Sequence, residues 1–195
     1  GVVEILTQIA DAAVEALEAV THIRAPSYGV TRAGSVTTEG DALHFGPEVR
    51  AEGFDGSGVT VGLISDGVDA LADAVATGDL PGSVQVAGTA GAGNEGTAML
   101  EIVHDIAPGA TLRFSSGNTT ATFISSIASL RNAGAQVIVD DIGFPGEAYF
   151  EDDVVAQAAQ AAVAAGVIFV SACGNSGEEH YASTFSGLGA RTVGG

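Results

Sequence analysis

Four short segments carry the residues that could do chemistry together. Ser65-Asp66-Gly67 follows an apolar run, and Gly91-Ala92-Gly93-Asn94-Glu95-Gly96-Thr97 opens a helical pattern. Asp140-Asp141-Ile142-Gly143 closes a second apolar run, and Cys173-Gly174-Asn175-Ser176-Gly177 a third. Carboxyl groups brought close together suit general acid–base work, because each alters the proton affinity of the other. An Asn amide beside them can donate to a developing oxyanion. Gly91-x-Gly93-x-x-Gly96 allows a different chemistry, a pyrophosphate held at a helix N-terminus where glycines admit the backbone. Three features argue against that nucleotide reading. Gly88-Thr89-Ala90 separates the pattern from its strand, and Glu95 adds a like charge. The acidic ribose ligand expected about 20 residues on is missing, since the next strand ends Phe114-Ser115-Ser116.

Plainer readings stand beside these. A carboxylate such as Asp66 or Glu95 also serves to cap or charge the first turn of a helix. Asn175, in a Gly-rich turn, also suits a left-handed backbone. Asp140 and Asp141 point to opposite faces of a pleated strand end, so only one of them can face a cleft. Turn or capping duty suits Asp141 equally. His104 and Asp105 fall about two turns beyond Glu95 and read as structural. His22, His44 and His180 show no metal-ligand spacing. Cys173 is the only cysteine, which excludes an intrachain disulfide and a thiolate metal cluster. It reads as a small buried residue beside a strand end rather than as a thiol site with His180.

These segments need a scaffold, and the apolar rhythm supplies one from residue 58 onward. β-rich runs fall at 59–65, 84–87, 111–114, 136–140 and 167–171. Helical patterns fall between them at 68–77, 97–106, 119–133 and 151–165. Five apolar strands alternating with four helices predict an α/β domain: a three-layer, mostly parallel sheet with helices on both faces. Ligands of such sheets bind at the carboxyl ends of the strands, where all four segments lie. Residues 2–20 repeat apolar positions at three- and four-residue steps and predict an amphipathic N-terminal helix. Pro and Gly interrupt 21–57, which predicts irregular wrapping structure with one short helix near 41–51. The expected organisation is an N-terminal helix and wrapping segment over 1–57, then one α/β domain over 58–195.

Composition narrows the partners. With 46% hydrophobic and 15% charged residues the 195-residue chain is globular rather than disordered. Asp and Glu total 24 against six Arg and no Lys, a net charge of −18. Such a surface repels nucleic acid and anionic membranes. No stretch approaches 18 uncharged apolar residues, so no spanning helix is expected. Acidity of this degree fits a secreted or high-salt setting. No signal peptide opens the chain and Gly1 stands first, which predicts a processed or trimmed product.

The segments taken in order resemble the motifs of subtilisin-like serine peptidases. Val61-Gly-Leu-Ile-Ser-Asp66-Gly67 is similar to the aspartate motif of that family. Glu95-Gly-Thr97 through Ala107-Pro108-Gly109-Ala110 is similar to the motif in which His-Gly-Thr starts a helix that ends in Ala-Pro-x-Ala. Gly166 through Gly174-Asn175-Ser-Gly177 is similar to the motif whose Asn is the oxyanion donor. Glu95 in place of the catalytic His is the hallmark of the sedolisins, which resemble subtilisins but use a Glu–Asp–Ser set. Sedolisins carry the partner Asp four residues after the Glu, where this chain has Met99, and Asp where it has Asn175. The resemblance is therefore to a sedolisin-like branch between the two families.

That resemblance implies a peptide or protein substrate and catalytic roles for Asp66, Glu95 and Asn175. Glu95 would be the general base, Asp66 would orient and charge its carboxyl, and Asn175 would donate to the oxyanion. Asp141 and Gly143 would bind substrate, because the matching segment lines the substrate groove. Metal ligands and cofactors are not implied by any residue pattern, calcium included. Both families take the nucleophile from a Gly-Thr-Ser segment beyond the Asn or Asp turn, and no Gly-Thr-Ser occurs in this sequence. The expectation is that the nucleophile segment lies outside it, and that the chain alone is inactive and associates with that segment or with itself. The alternatives are a pseudo-peptidase or peptide-binding domain that keeps the fold alone, and the nucleotide-binding enzyme weighed above.

Overall fold

The structure is a computed structural model and describes residues 30–31, 39–148, 151–175 and 177. The helix expected over 2–20 lies outside the described residues. So do Ser176, His180, Ser183 and Ser186.

A five-stranded sheet forms the centre. Its strands are β2 (Thr60–Ser65), β3 (Gln85–Val86), β4 (Thr111–Ser116), β5 (Val137–Asp140) and β7 (Ile168–Ser171), in the order β3-β4-β2-β5-β7. Every pairing in it is parallel. The helices between them are α3 (Leu71–Thr77), α4 (Glu95–Ile106), α5 (Thr120–Asn132) and α6 (Val154–Ala164). The expected alternation of five strands and four helices is thus present, with boundaries moved by local chemistry. α6 starts at Val154 rather than 151 because the Asp153 side chain caps it. α5 starts behind a capping box made by Thr119 and Thr122.

Helices lie on both faces of the central strands. Val61 and Leu63 of β2 and Leu112 and Phe114 of β4 pack under Ala74 of α3 and Leu100 of α4. Ile64 and Ile138 point the other way, under Phe123, Ile127 and Leu130 of α5 and Ala162 of α6. Gly62 faces α5; a Cβ there would come within 3.0 Å of the Leu130 side chain, so the missing side chain lets the helix sit close.

The two core faces and the strand order together define the hand of each crossover. β2–α3–β3 moves toward one edge of the sheet, and the other three crossovers move toward the opposite edge. α3 and α4 share a face while α5 and α6 share the other. Three crossovers therefore have one hand and β3–α4–β4 has the other. Parallel crossovers are right-handed in about 98% of cases, so β3–α4–β4 is the left-handed exception. Its helix begins with Glu95.

Residues 39–57 wrap the far end of that helix. One short helix was expected near 41–51; two form, α1 (Gly40–Leu43) and α2 (Gly46–Ala51), broken at Phe45 with φ 58°. Pro47 in the first turn of α2 has no N–H with which to continue α1. Arg50 pairs with Asp41 through two 2.7 Å bonds and donates to the carbonyls of Asp105 and Ile106 at the α4 C-terminus, where a cation is favoured. Residues 30–31 form β1 (Val30–Thr31), antiparallel to β6 (Ile142–Gly143) just past the end of β5. Among the described residues no helix is long and apolar enough to cross a membrane.

Candidate active site

β2, β5 and β7 lie side by side, so the segments that leave their carboxyl ends are neighbours. These are the segments bearing Asp66, Asp141 and Asn175. The start of α4 is tied to the same edge by a bridge between Gly67 and Gly91. Gly91 and Gly93 adopt φ of 70° and 120°, which L side chains rarely take. A Cβ on Gly91 would collide with the Asp66 carbonyl, and one on Gly93 with the Asp66 carboxylate. The glycines therefore serve to let the 91–96 loop close over Asp66.

Asp66 is held at the head of the helix. Its Oδ1 accepts from the backbone N–H of Glu95 at 3.0 Å, of Gly96 at 3.2 Å, and of Gly67. Its carbonyl accepts from Ser116 Oγ at 2.7 Å and from Asn118 Nδ2 at 3.1 Å. Asn94, at the capping position of α4, makes no side-chain cap. Asp66 supplies that cap from another strand, meeting free N–H groups and the positive end of the helix dipole. The sequence expectation gave Asp66 the task of orienting the Glu95 carboxyl. The contacts that Asp66 makes in the structure are with the main chain of Glu95 and Gly96. The same contacts weigh against the nucleotide reading, because the N–H groups that a pyrophosphate would need are engaged by a carboxylate. The strand order also differs from the dinucleotide-binding order 3-2-1-4-5-6.

The carboxyl that meets Glu95 is that of Asp141. Asp141 is only 6% exposed, whereas Glu95 is half-buried. Ser65, the last residue of β2, donates from Oγ to Asp141 Oδ2 at 3.1 Å. Asp141 Oδ1 is buried and receives no N–H or hydroxyl. The Glu95 carboxyl is a neighbour of the Asp141 carboxyl, close enough for its charge to act on the proton affinity of Asp141. Burial pushes the Asp141 carboxyl up to about 7. The Ser65 hydrogen bond opposes the rise, while the Glu95 charge and the hydrogen bond to Glu95 add to it. Glu95 and Asp141 thus form a carboxyl pair in which Asp141 retains its proton toward neutrality.

The remaining expected residues fall as follows. Pleating separates Asp140 from Asp141: Asp140 turns toward the α5/α6 face and Asp141 toward Glu95, as the strand-end argument required. Gly143 lies in β6 with its main chain paired to Val30. Asn175 is exposed in the turn after β7, four residues beyond the strand end at Ser171. His104 and Asp105 sit near the other end of α4 from Glu95. Cys173 is exposed rather than buried, a correction with a simple cause. β7 is the outer strand of the described sheet and leaves Ile168 and Val170 exposed, so nothing among the described residues covers the loop that follows it. Ser65, to which the motif reading gave no role, joins this cluster through its bond to Asp141; its signal was its place beside Asp66 at the strand end.

Among the described residues no group of three or more His, Cys, Asp or Glu is placed to hold a metal ion. Compared with known protein families and with curated proteins, the chain matches none.

Proposed function

We propose that this chain carries the acid–base part of a subtilisin- or sedolisin-like serine peptidase site, acting on peptide bonds. The observation that carries the reading is the Glu95–Asp141 carboxyl pair at the carboxyl edge of the parallel sheet. A pair holding one proton can take a proton from a nucleophile and return it to a leaving amine. Glu95 is the half-buried member, at the mouth of the edge, and takes the base role. Asp141 holds the proton and Ser65 fixes its orientation. Asp66 anchors the helix that carries Glu95, and Asn175 supplies the oxyanion donor.

A peptide as ligand is supported by the edge beside Asp141. Main chain at Ile142–Gly143 is paired with an extended segment, Val30–Thr31. An extended substrate would use the same strand-addition geometry. That feature also suits a domain that binds peptides without cleaving them, and the nucleophile distinguishes the two. Ser65 is fully buried with its hydroxyl engaged by Asp141, so it is not the nucleophile. On that reading the nucleophile is a Gly-Thr-Ser serine, as in the resembled families, to be sought in the coding sequence past Gly195.

The test is to read that coding sequence and assay the polypeptide extended through it. The extended form should hydrolyse peptides below neutrality, and Glu95→Gln should reduce the rate by about 10²–10⁴-fold, the usual contribution of a positioned acid–base group. A serine-directed covalent probe should label the Gly-Thr-Ser serine. Turnover by residues 1–195 alone, with labelling of a serine inside them, would overturn this assignment.

A further inference from the structure

On the sheet face opposite the carboxyl pair, the core opens into a cavity of about 310 Å³. That is near the lower end for small-molecule sites, about 300–1,000 Å³. It lies between β5, β7, α5, α6 and the 144–148 loop. Phe123, Phe144 and Phe169 contribute aromatic walls, and Phe123 meets Phe144 edge to face with ring centroids 5.2 Å apart. Into this apolar chamber the protein turns the carboxyl of Asp140, which is 2% exposed. Asp140 Oδ1 accepts from Ile142 N at 3.2 Å and Ser171 Oγ at 3.1 Å. Its Oδ2 is buried and has no hydrogen-bond partner.

The surroundings of Oδ2 define what would satisfy it. Among the described residues, the other titratable groups lining the chamber are Glu147 from the loop and Asp153 from the start of α6; α5 and β7 contribute none. Asp141 follows in the chain but faces the other side of the sheet. Among the described residues no basic side chain lines the cavity, and the chain has no Lys anywhere. A buried carboxylate oxygen without a partner is strongly unfavourable in apolar surroundings. A positive group held against aromatic faces and carboxylates relieves it, through charge and through attraction to the rings.

We propose that this cavity is a binding site for a small organic ammonium: a primary amine on an apolar body, its ammonium donating to Asp140 Oδ2 and its body against the three phenylalanines. The site is separate from the Glu95–Asp141 pair and does not depend on the peptidase reading. The ammonium comes from a free amine or from the N-terminus of an apolar peptide, and the probes distinguish the two.

The experiment is calorimetric titration of the 195-residue chain with 2-phenylethylammonium, with the dipeptide amide Phe-Gly, and with 2-phenylethanol as the neutral isostere. Burial raises Asp140 to about 6, so its charge develops across pH 5–7. Affinity for the ammonium should rise roughly tenfold over that range as the carboxylate forms. Asp140→Asn should weaken ammonium binding at least tenfold at pH 7. Ala159→Phe, which fills the chamber from α6, should abolish it, with folding of both variants checked by circular dichroism. Binding of the amine alone assigns the site to free amines; binding of the dipeptide amide assigns it to peptide termini. The proposal is overturned if neither ammonium binds, if 2-phenylethanol binds as tightly as the ammonium, or if either folded variant binds like the parent.

Discussion

Ser65 and Asp141 stand 76 positions apart in sequence, yet the Ser65 hydroxyl donates to Asp141 Oδ2 at 3.1 Å, both side chains buried at the ends of adjacent parallel strands. The bond favours the charged form of Asp141 and so opposes the rise that burial causes. Ser65→Ala should therefore move the Asp141 titration upward, and Ser65→Thr should restore it. The stability cost should be about 1 kcal/mol, the net value of such a bond. Carboxyl-carbon NMR titration checks the shift; a downward move would contradict the role given to Ser65.

Asp66 anchors the start of α4 through main-chain contacts with Glu95 and Gly96. Asp66→Ala should lower stability by about 1–2 kcal/mol, as expected for a lost cap. It should leave the Asp141 titration near about 7. Urea unfolding and NMR titration of one variant decide the point. Unchanged stability with a shifted Asp141 would return Asp66 to the carboxyl-orienting role.

Gly96 sits where a Cβ would collide with the Phe114 ring and the Gly67 carbonyl. Gly96→Ala should destabilise by about 1–3 kcal/mol through overpacking. It should also push Glu95 away from Asp141 and lower the Asp141 titration. A thermal melt beside an NMR titration measures both effects.

The buried carboxyls give stability a definite pH dependence. Asp140 and Asp141 are raised from 3.8 to about 6 and about 7. A carboxyl whose native pKa exceeds its unfolded value binds more protons when folded. Its stabilising share is complete below about pH 4 and is lost as pH rises through 6 and 7. For Asp140 that difference is worth roughly 3 kcal/mol. The chain should melt higher at pH 5 than at pH 8, and Asp140→Asn should flatten that difference. A melting temperature that rises from pH 5 to pH 8 would contradict the assigned directions.

The layers of this fold were legible because two-sided burial forces near-continuous apolar strands, as at Val61–Ile64 and Val137–Val139. Two features were not. The Val30–Thr31 pairing with Ile142–Gly143 involves two residues on each side, too few for a period to show. The break between α1 and α2 depends on Phe45 taking φ 58°, which composition does not announce. At the site, the motif order singled out Asp66, Glu95, Asp141 and Asn175, but it did not announce that Asp66 would meet the main chain at the helix start or that Asp141 would lie beside the Glu95 carboxyl. Spacing shows which residues reach one sheet edge; whether a carboxylate meets a helix main chain or a carboxyl depends on loop paths. Here Gly91 and Gly93 set that path by closing over Asp66.

The central relationship is an Asp141 carboxyl held protonated beside Glu95, and carboxyl-carbon NMR titration of the 195-residue chain from pH 3 to 9 tests it most directly. The Asp141 resonance should titrate near about 7. In Glu95→Gln, with the neighbouring charge removed, it should titrate lower while burial still holds it above 3.8. An Asp141 that titrates near the ordinary value of about 3.9, and does so equally with Glu or Gln at position 95, would contradict the pair and the acid–base role built on it.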